Sequence, residues 1–148
     1  MISNRCHYAL RAMLELAKRE GRGLCTIAEI AEAREIPARF LESILLQLKQ
    51  SGLARSVRGK DGGYALARPP GRITVGEIMR IFEGPMLAAS PAGGGKQPRS
   101  KMAAGDVFGE VWQRAEKALS QVFNDITFAE LAERDKLRAS HAGSDYVI

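Results

Sequence analysis

The sequence is poor in the side chains that build covalent frameworks and reaction centres. It has two cysteines, Cys6 and Cys25, too few for a disulfide scaffold. Its two histidines are His7 and His141. No Ser/His/Asp, Cys/His or paired-carboxylate constellation stands out around them, so an enzyme is not expected. No apolar run approaches the ~20 residues that cross a bilayer. The first residues, Met1-Ile2-Ser3-Asn4-Arg5-Cys6-His7-Tyr8, lack the shape of a signal peptide. A cytoplasmic protein with no membrane partner is therefore expected.

Apolar residues make up 45% of the 148 positions, enough for a real core. The length fits one ordinary domain, or a small domain plus an extension. The net charge of +5 is unevenly placed. Residues 1–84 hold 14 Lys/Arg against 9 Asp/Glu, whereas residues 85–148 are balanced at 8 and 8. Within 49–72, Lys49, Arg55, Arg58, Lys60, Arg68 and Arg72 face Asp61 alone. The chain's whole excess can be assigned to this stretch, which suits a face that binds a polyanion.

Apolar periodicity predicts a first helix from Asn4 to about Lys18, through Tyr8, Leu10, Met13, Leu14, Leu16 and Ala17 and ended by Gly21 and Gly23. Ser3 and Arg5 precede it, where helix N-termini attract anions. Tyr8 reads as half core, with a hydroxyl that can also reach a phosphate. Thr26 and Glu29 form a capping box for a short second helix, with Ile27, Ile30 and Ala31 inward. A third helix begins near Pro37, and Leu41, Ile44, Leu45 and Leu48 are its buried stripe. Ala38, Arg39, Glu42, Ser43 and Leu46 are left on its outer face.

Ser51-Gly52 closes that helix. A strand follows with Leu53 and Val57 inward, then a turn, Gly59-Lys60-Asp61-Gly62-Gly63, and a return strand with Tyr64 and Leu66. This glycine-rich turn is not a Walker motif and no helix starts directly after it, which disfavours a nucleotide phosphate site. Thr74, with Glu77 as box partner, starts a fourth helix that Gly84-Pro85 stops. Residues 84–106 include five Gly and three Pro and read as a linker. From Val107 to about Phe123, a long helix carries Phe108, Val111, Trp112, Ala115, Leu119 and Val122 on one stripe. No second helix of similar length is expected beside it, so its natural partner is its own copy in a second subunit. Thr127 and Glu130 cap a short helix, and a polar tail from Arg138 ends in Tyr146-Val147-Ile148.

Two short helices, a tight turn and a basic hairpin describe a winged helix-turn-helix: mainly α with a small β-hairpin, plus a long dimerisation helix. The expected organisation is a DNA-binding domain over 1–84, a linker or sensor loop over 85–106, and a dimerisation helix, short helix and tail over 107–148. In such a fold the N-terminal end of the third helix meets base edges in the major groove. Arg39 suits a guanine or a phosphate, Glu42 can accept from cytosine N4, and Ser43 is permissive. Arg58, Gly59 and Lys60 form the tip, suited to a narrow minor groove. Ser3, Arg5, Tyr8, Thr26 and Ala38 complete the candidate DNA-contact set. A basic wing that meets an acidic protein partner is an alternative, as is a redox sensor built on Cys6, Cys25 or His7.

Several segments together resemble a known family. These are Ser3-x-Arg5-x-x-Tyr8-Ala9-Leu10-Arg11, Thr26-x-x-Glu29-Ile30-Ala31, Phe40-Leu41-Glu42-x-Ile44-Leu45-x-x-Leu48-x-x-Ser51-Gly52-Leu53 and Ser56-x-Arg58-Gly59-x-x-Gly62-Gly63-Tyr64-x-Leu66. Thr74-x-x-Glu77-Ile78, Phe82-Glu83-Gly84-Pro85 and Val111-Trp112 follow. The chain resembles the bacterial winged-helix regulators that include IscR, NsrR and CymR, densely over about 1–85 and loosely over 107–132. The resemblance implies a transcriptional regulator, most often a repressor, that binds a partly palindromic operator as a homodimer. It also implies that Glu42 reads a base and that Arg58 enters the minor groove.

Cluster-binding members of that family carry three cysteines ahead of the long helix. Residues 84–106 contain none, and have Ala88, Ala89, Ser90, Ala92, Ser100, Ala103, Ala104 and Asp106 instead. An iron–sulfur cluster needs thiolates or a partial histidine substitute, so no cofactor and no metal site is expected. The resemblance is to the family's clusterless branch, or to a chain whose cysteines were replaced.

Overall fold

The computed structural model describes residues 2–85 and 107–145. The linker expected beyond Pro85 and the hook at Tyr146-Val147-Ile148 lie outside the described residues. The described residues form six α-helices and a two-stranded antiparallel hairpin.

Helix α1 spans Asn4–Lys18 and is capped by Ser3, whose hydroxyl accepts the Cys6 amide at 3.1 Å. Helix α2, Ile27–Arg34, begins with both halves of the expected capping box: Thr26 Oγ1 accepts from the Glu29 amide, and the Glu29 carboxylate accepts from the Thr26 amide. It ends at Glu35, which turns the chain in the left-handed region at φ 53°. Helix α3, Ala38–Gln50, follows with Pro37 as its N-cap. Leu41, Ile44, Leu45 and Leu48 are all fully buried, as their spacing predicts.

Strand β1, Ala54–Val57, pairs with β2, Gly63–Leu66, in the register Ala54↔Leu66 to Val57↔Gly63. The hairpin is fastened to the loop between α1 and α2 by two backbone hydrogen bonds between Cys25 and Tyr64, at 2.9 and 2.7 Å. Gly63 sits here at positive φ, and a Cβ would lie 2.7 Å from the Cys25 carbonyl oxygen. Val57 was expected to face inward, but it is 48% exposed. It lies at the open end of a four-residue strand opposite a glycine, so no cross-strand side chain covers it.

A 3-10 turn, Pro70–Arg72, leads to α4, Val75–Glu83. Thr74 caps α4 by accepting the Glu77 amide, but the expected reciprocal contact is replaced: the Glu77 carboxylate pairs with Arg68. Helix α5 runs Val107–Asp125 and packs on α4. The last helix, α6, spans Phe128–Asp145 and is 18 residues long, against 19 for α5. This corrects the expected short helix and polar tail, although α6 lies against α1 and not alongside α5.

Helix α6 packs on α1 and the 3-10 turn. Phe128 is fully buried and Ala132 nearly so, within the same core as Met13, Ile30, Leu45 and Ile78. Backbone bonds from Phe128 N to Ile73 O (3.0 Å) and from Val75 N to Ile126 O (2.9 Å) fix the junction. Beyond Ala132, polar contacts hold α6. Asp135 accepts from Lys18 at 2.8 Å and from Arg34 at 3.0 Å, and Arg34 also reaches Glu15 at 2.7 Å. Glu15 is the one charged residue in the described core, at 7% exposure, and Arg19 is its second partner.

Candidate nucleic-acid interface

Burying the 41/44/45/48 stripe of α3 leaves Ala38, Arg39, Glu42, Ser43 and Leu46 exposed. The guanidinium of Arg39 lies over the Phe40 ring, 4.6 Å from its centroid. Phe40 in turn stacks on Tyr8 with centroids 6.1 Å apart and planes at 20°. The half-buried Tyr8 ring thus supports a ladder that ends in a cation at the start of α3. Phe40 was missed as a candidate by the sequence reading, although it stands beside Arg39, one residue ahead of the buried stripe. Its signal was a large apolar side chain off that stripe.

Glu42 makes no ion pair with Arg39 or Lys49. Its carboxylate stands on the exposed face of α3. Lys49, Arg55, Arg58 and Lys60 also lack an ion-pair partner among the described residues. Arg58, Gly59 and Lys60 are exposed at the tip of the hairpin. Gly59 takes φ +116°, and the Gly62 amide donates to its carbonyl at 3.0 Å. Gly62 also has no room for a Cβ against the Val57 carbonyl, so the turn depends on both glycines.

The candidates at the helix N-termini are committed within the molecule. The Thr26 hydroxyl is used by its cap. The Ser3 hydroxyl donates to Glu83 Oε1, and the Ser3 amide donates to the same oxygen at 2.7 Å. Hydrogen bonding from the Ser3 hydroxyl holds the Glu83 carboxyl below its usual range. Arg5 turns onto α3, donating to Ser43 Oγ and Gln47 Oε1, both at 2.9 Å. Two candidate contact residues, Arg5 and Ser43, therefore hold each other.

Both cysteines are buried. Cys6 Sγ lies 3.5 Å from Met79 Sδ, and burial, with Glu83 adding to it, pushes the thiol up to about 11. Burial likewise pushes Cys25 up to about 11 against the lowering influence of Arg19. Among the described residues, no group of three or more His, Cys, Asp or Glu is placed to hold a metal ion.

On α5, Phe108, Val111, Trp112 and Val122 are exposed, while Ala115 and Leu119 are half-buried. No helix among the described residues is long and apolar enough to cross a membrane.

The family model for Rrf2, described as an iron-dependent transcriptional regulator, matches residues 2–134. The chain is 33% identical over 131 residues to the HTH-type transcriptional regulator CymR of Bacillus subtilis, covering 88% of each chain. It is 31% identical over 137 residues to the regulator IscR of Klebsiella pneumoniae, covering 92% of this chain and 82% of that one. The fold superposes on CymR of B. subtilis, the global cysteine regulator, with a TM-score of 0.73 at 33% identity, covering 90% of this chain and 97% of that one. IscR of T. potens gives a TM-score of 0.73 at 32% identity, covering 91% and 88%. These relatives are named as regulators and not as enzymes, in line with the missing catalytic constellation. The chain, with its winged helix-turn-helix, belongs to the Rrf2 family of transcriptional regulators.

Proposed function

We propose that this protein is a sequence-specific DNA-binding regulator, acting as a repressor, that grips a partly palindromic operator as a homodimer. One observation carries the reading: the exposed end of α3 and the hairpin tip present Arg39, Glu42, Arg58 and Lys60 with no ion-pair partner among the described residues. Charges that are buried or half-buried, such as Glu15, Arg34, Arg68 and Asp135, are paired within the molecule instead. Cations left open on a convex helix-and-wing face suit a phosphate backbone.

In this reading α3 enters the major groove with Ala38, Arg39, Glu42 and Ser43 leading, and Arg58, Gly59 and Lys60 follow the minor groove. Glu42 accepts from a base amino group; against phosphates alone its charge opposes binding. The exposed stripe of Phe108, Val111, Trp112 and Val122, flanked by Ala115 and Leu119, joins two copies. Residues 1–84 form the reading head, 85–106 intervene, and 107–148 link the subunits while α6 buttresses the head. Such a regulator works in the cytoplasm without a bound cofactor.

The test is selection from a random duplex pool, followed by a genome-wide binding map. The expected result is one enriched motif with two half-sites about one helical turn apart or a multiple of it. Binding should weaken steeply with salt. A protein with no preference over bulk competitor DNA, yet with salt-sensitive capture of an acidic protein, would overturn the reading.

A further inference from the structure

We propose that Arg5 is a positioning residue that fixes the reading helix α3 to the last turn of α4, and that it does not itself touch DNA. The inference rests on the DNA-binding reading above, which gives α3 its task. Its geometry is independent of that reading.

Arg5 lies in the first turn of α1, where a cation would ordinarily serve as a phosphate contact. Its guanidinium is already engaged. Two nitrogens donate to Ser43 Oγ and Gln47 Oε1, acceptors one helical turn apart on α3. The same group sits 5.8 Å from the centroid of the Phe82 ring on α4. Gln47 also points its amide nitrogen at the Ile81 carbonyl, at 3.5 Å. Two residues beyond Ile81, Glu83 receives the Ser3 amide and hydroxyl at the cap of α1.

Residues 81–83 at the end of α4 are therefore wired to α3 through Arg5 and Gln47, and to the start of α1 through Ser3. Ser43 has its own proton committed to the Phe40 carbonyl at 3.2 Å, which leaves its oxygen to receive Arg5. A planar fork holds its donors in fixed directions and can bridge two acceptors while lying flat over a ring, whereas an ammonium is a single point charge on a flexible stem. The link sets the roll of α3 about its axis, and with it the direction in which Arg39 and Glu42 project. It also couples that roll to the position of the chain where α4 ends at Gly84.

The test uses the full chain with Arg5→Ala and Arg5→Lys. In the free protein, hydrogen exchange of the α3 amides over 38–50 is the first readout. Both variants are expected to exchange faster in α3; unchanged protection would overturn the proposal without bearing on DNA binding. The second readout is affinity for the selected operator as a function of salt. Both variants should bind roughly three- to tenfold more weakly, the worth of one or two modest hydrogen bonds, with the salt slope of the wild type. A phosphate contact would behave otherwise: the alanine slope would fall by about 0.9 and lysine would restore it, and that pattern sinks the proposal. If the wild type selects no DNA, the DNA-binding reading fails, and the exchange result still decides whether Arg5 holds α3.

Discussion

Gly76 of α4 faces Asn124 of α5 so closely that a Cβ at residue 76 would overlap the Asn124 side-chain oxygen and lie 3.2 Å from its backbone nitrogen. The same oxygen accepts from Arg80 at 2.7 Å. This contact seats α5 on the rest of the protein. Helix propensity alone predicts that Gly76→Ala stabilises, by about 1 kcal/mol. The geometry predicts the opposite sign, a loss of about 1–3 kcal/mol from overpacking and a displaced Asn124. Urea unfolding of the variant decides between the two, and the loss should shrink when Asn124 is also changed to Ala.

Acidification should weaken the attachment of α6. Glu15 is burdened by burial, yet the hydrogen bonds from Arg19 and Arg34 keep its carboxyl below the usual range. The hydrogen bond from Lys18, with Arg34 adding to it, does the same for Asp135. Groups with depressed folded values contribute stability that is full above the ordinary carboxylate range and is lost as pH falls through the folded values. Arg34→Ala removes a partner from both acids and should cost about 1.5–3 kcal/mol near neutrality. That cost should narrow progressively below about pH 4, as the acids protonate in the wild type too. Unfolding curves across pH measure it; a penalty independent of pH would count against the network.

Changes at the reading face should separate affinity from specificity. Arg58→Ala is expected to weaken operator binding and lower its salt slope. Glu42→Ala should instead relax preference at one base position, worth about 1–3 kcal/mol of discrimination. A repeat selection with each variant shows which positions of the motif lose information.

On α5, Trp112 is 55% exposed in the single chain, so Trp112→Glu falls outside the buried core of the protomer. Sedimentation should change from twice the 16.1 kDa chain mass to a single chain, with the circular dichroism preserved. A variant that remains dimeric would exclude this stripe as the joint.

The two thiols should be sluggish. With both pushed up to about 11, little thiolate exists at pH 8. Alkylation by iodoacetamide is expected to be slow in the native protein and fast in urea, and mass spectrometry after timed quenching reads it out.

The reading helix was legible in the sequence because its order is local. Four apolar residues at helical spacing forced Ala38, Arg39, Glu42 and Ser43 outward, and the structure exposes all four. The second half of α6 was not legible. Glu133, Arg134, Lys136 and Arg138 carry no apolar stripe, and the helix is held there by Asp135, whose partners Lys18 and Arg34 are a hundred residues or more away. Arg5 shows the same limit: nothing near it in sequence announces Ser43 or Gln47. Sequence periodicity reports which face is buried, but it does not report which distant polar group an exposed arginine will find.

Phe128 has a consequence for how the protein comes into being. It fills the core of a head whose other members mostly precede Ile81, and its amide is tied to the Ile73 carbonyl. The chain up to the end of α4 therefore lacks two members of its own core, Phe128 and Ala132. The core of the winged helix is complete only once α5 has emerged and α6 has begun, so the exposed stripe of α5 is made before the last side chains of that core.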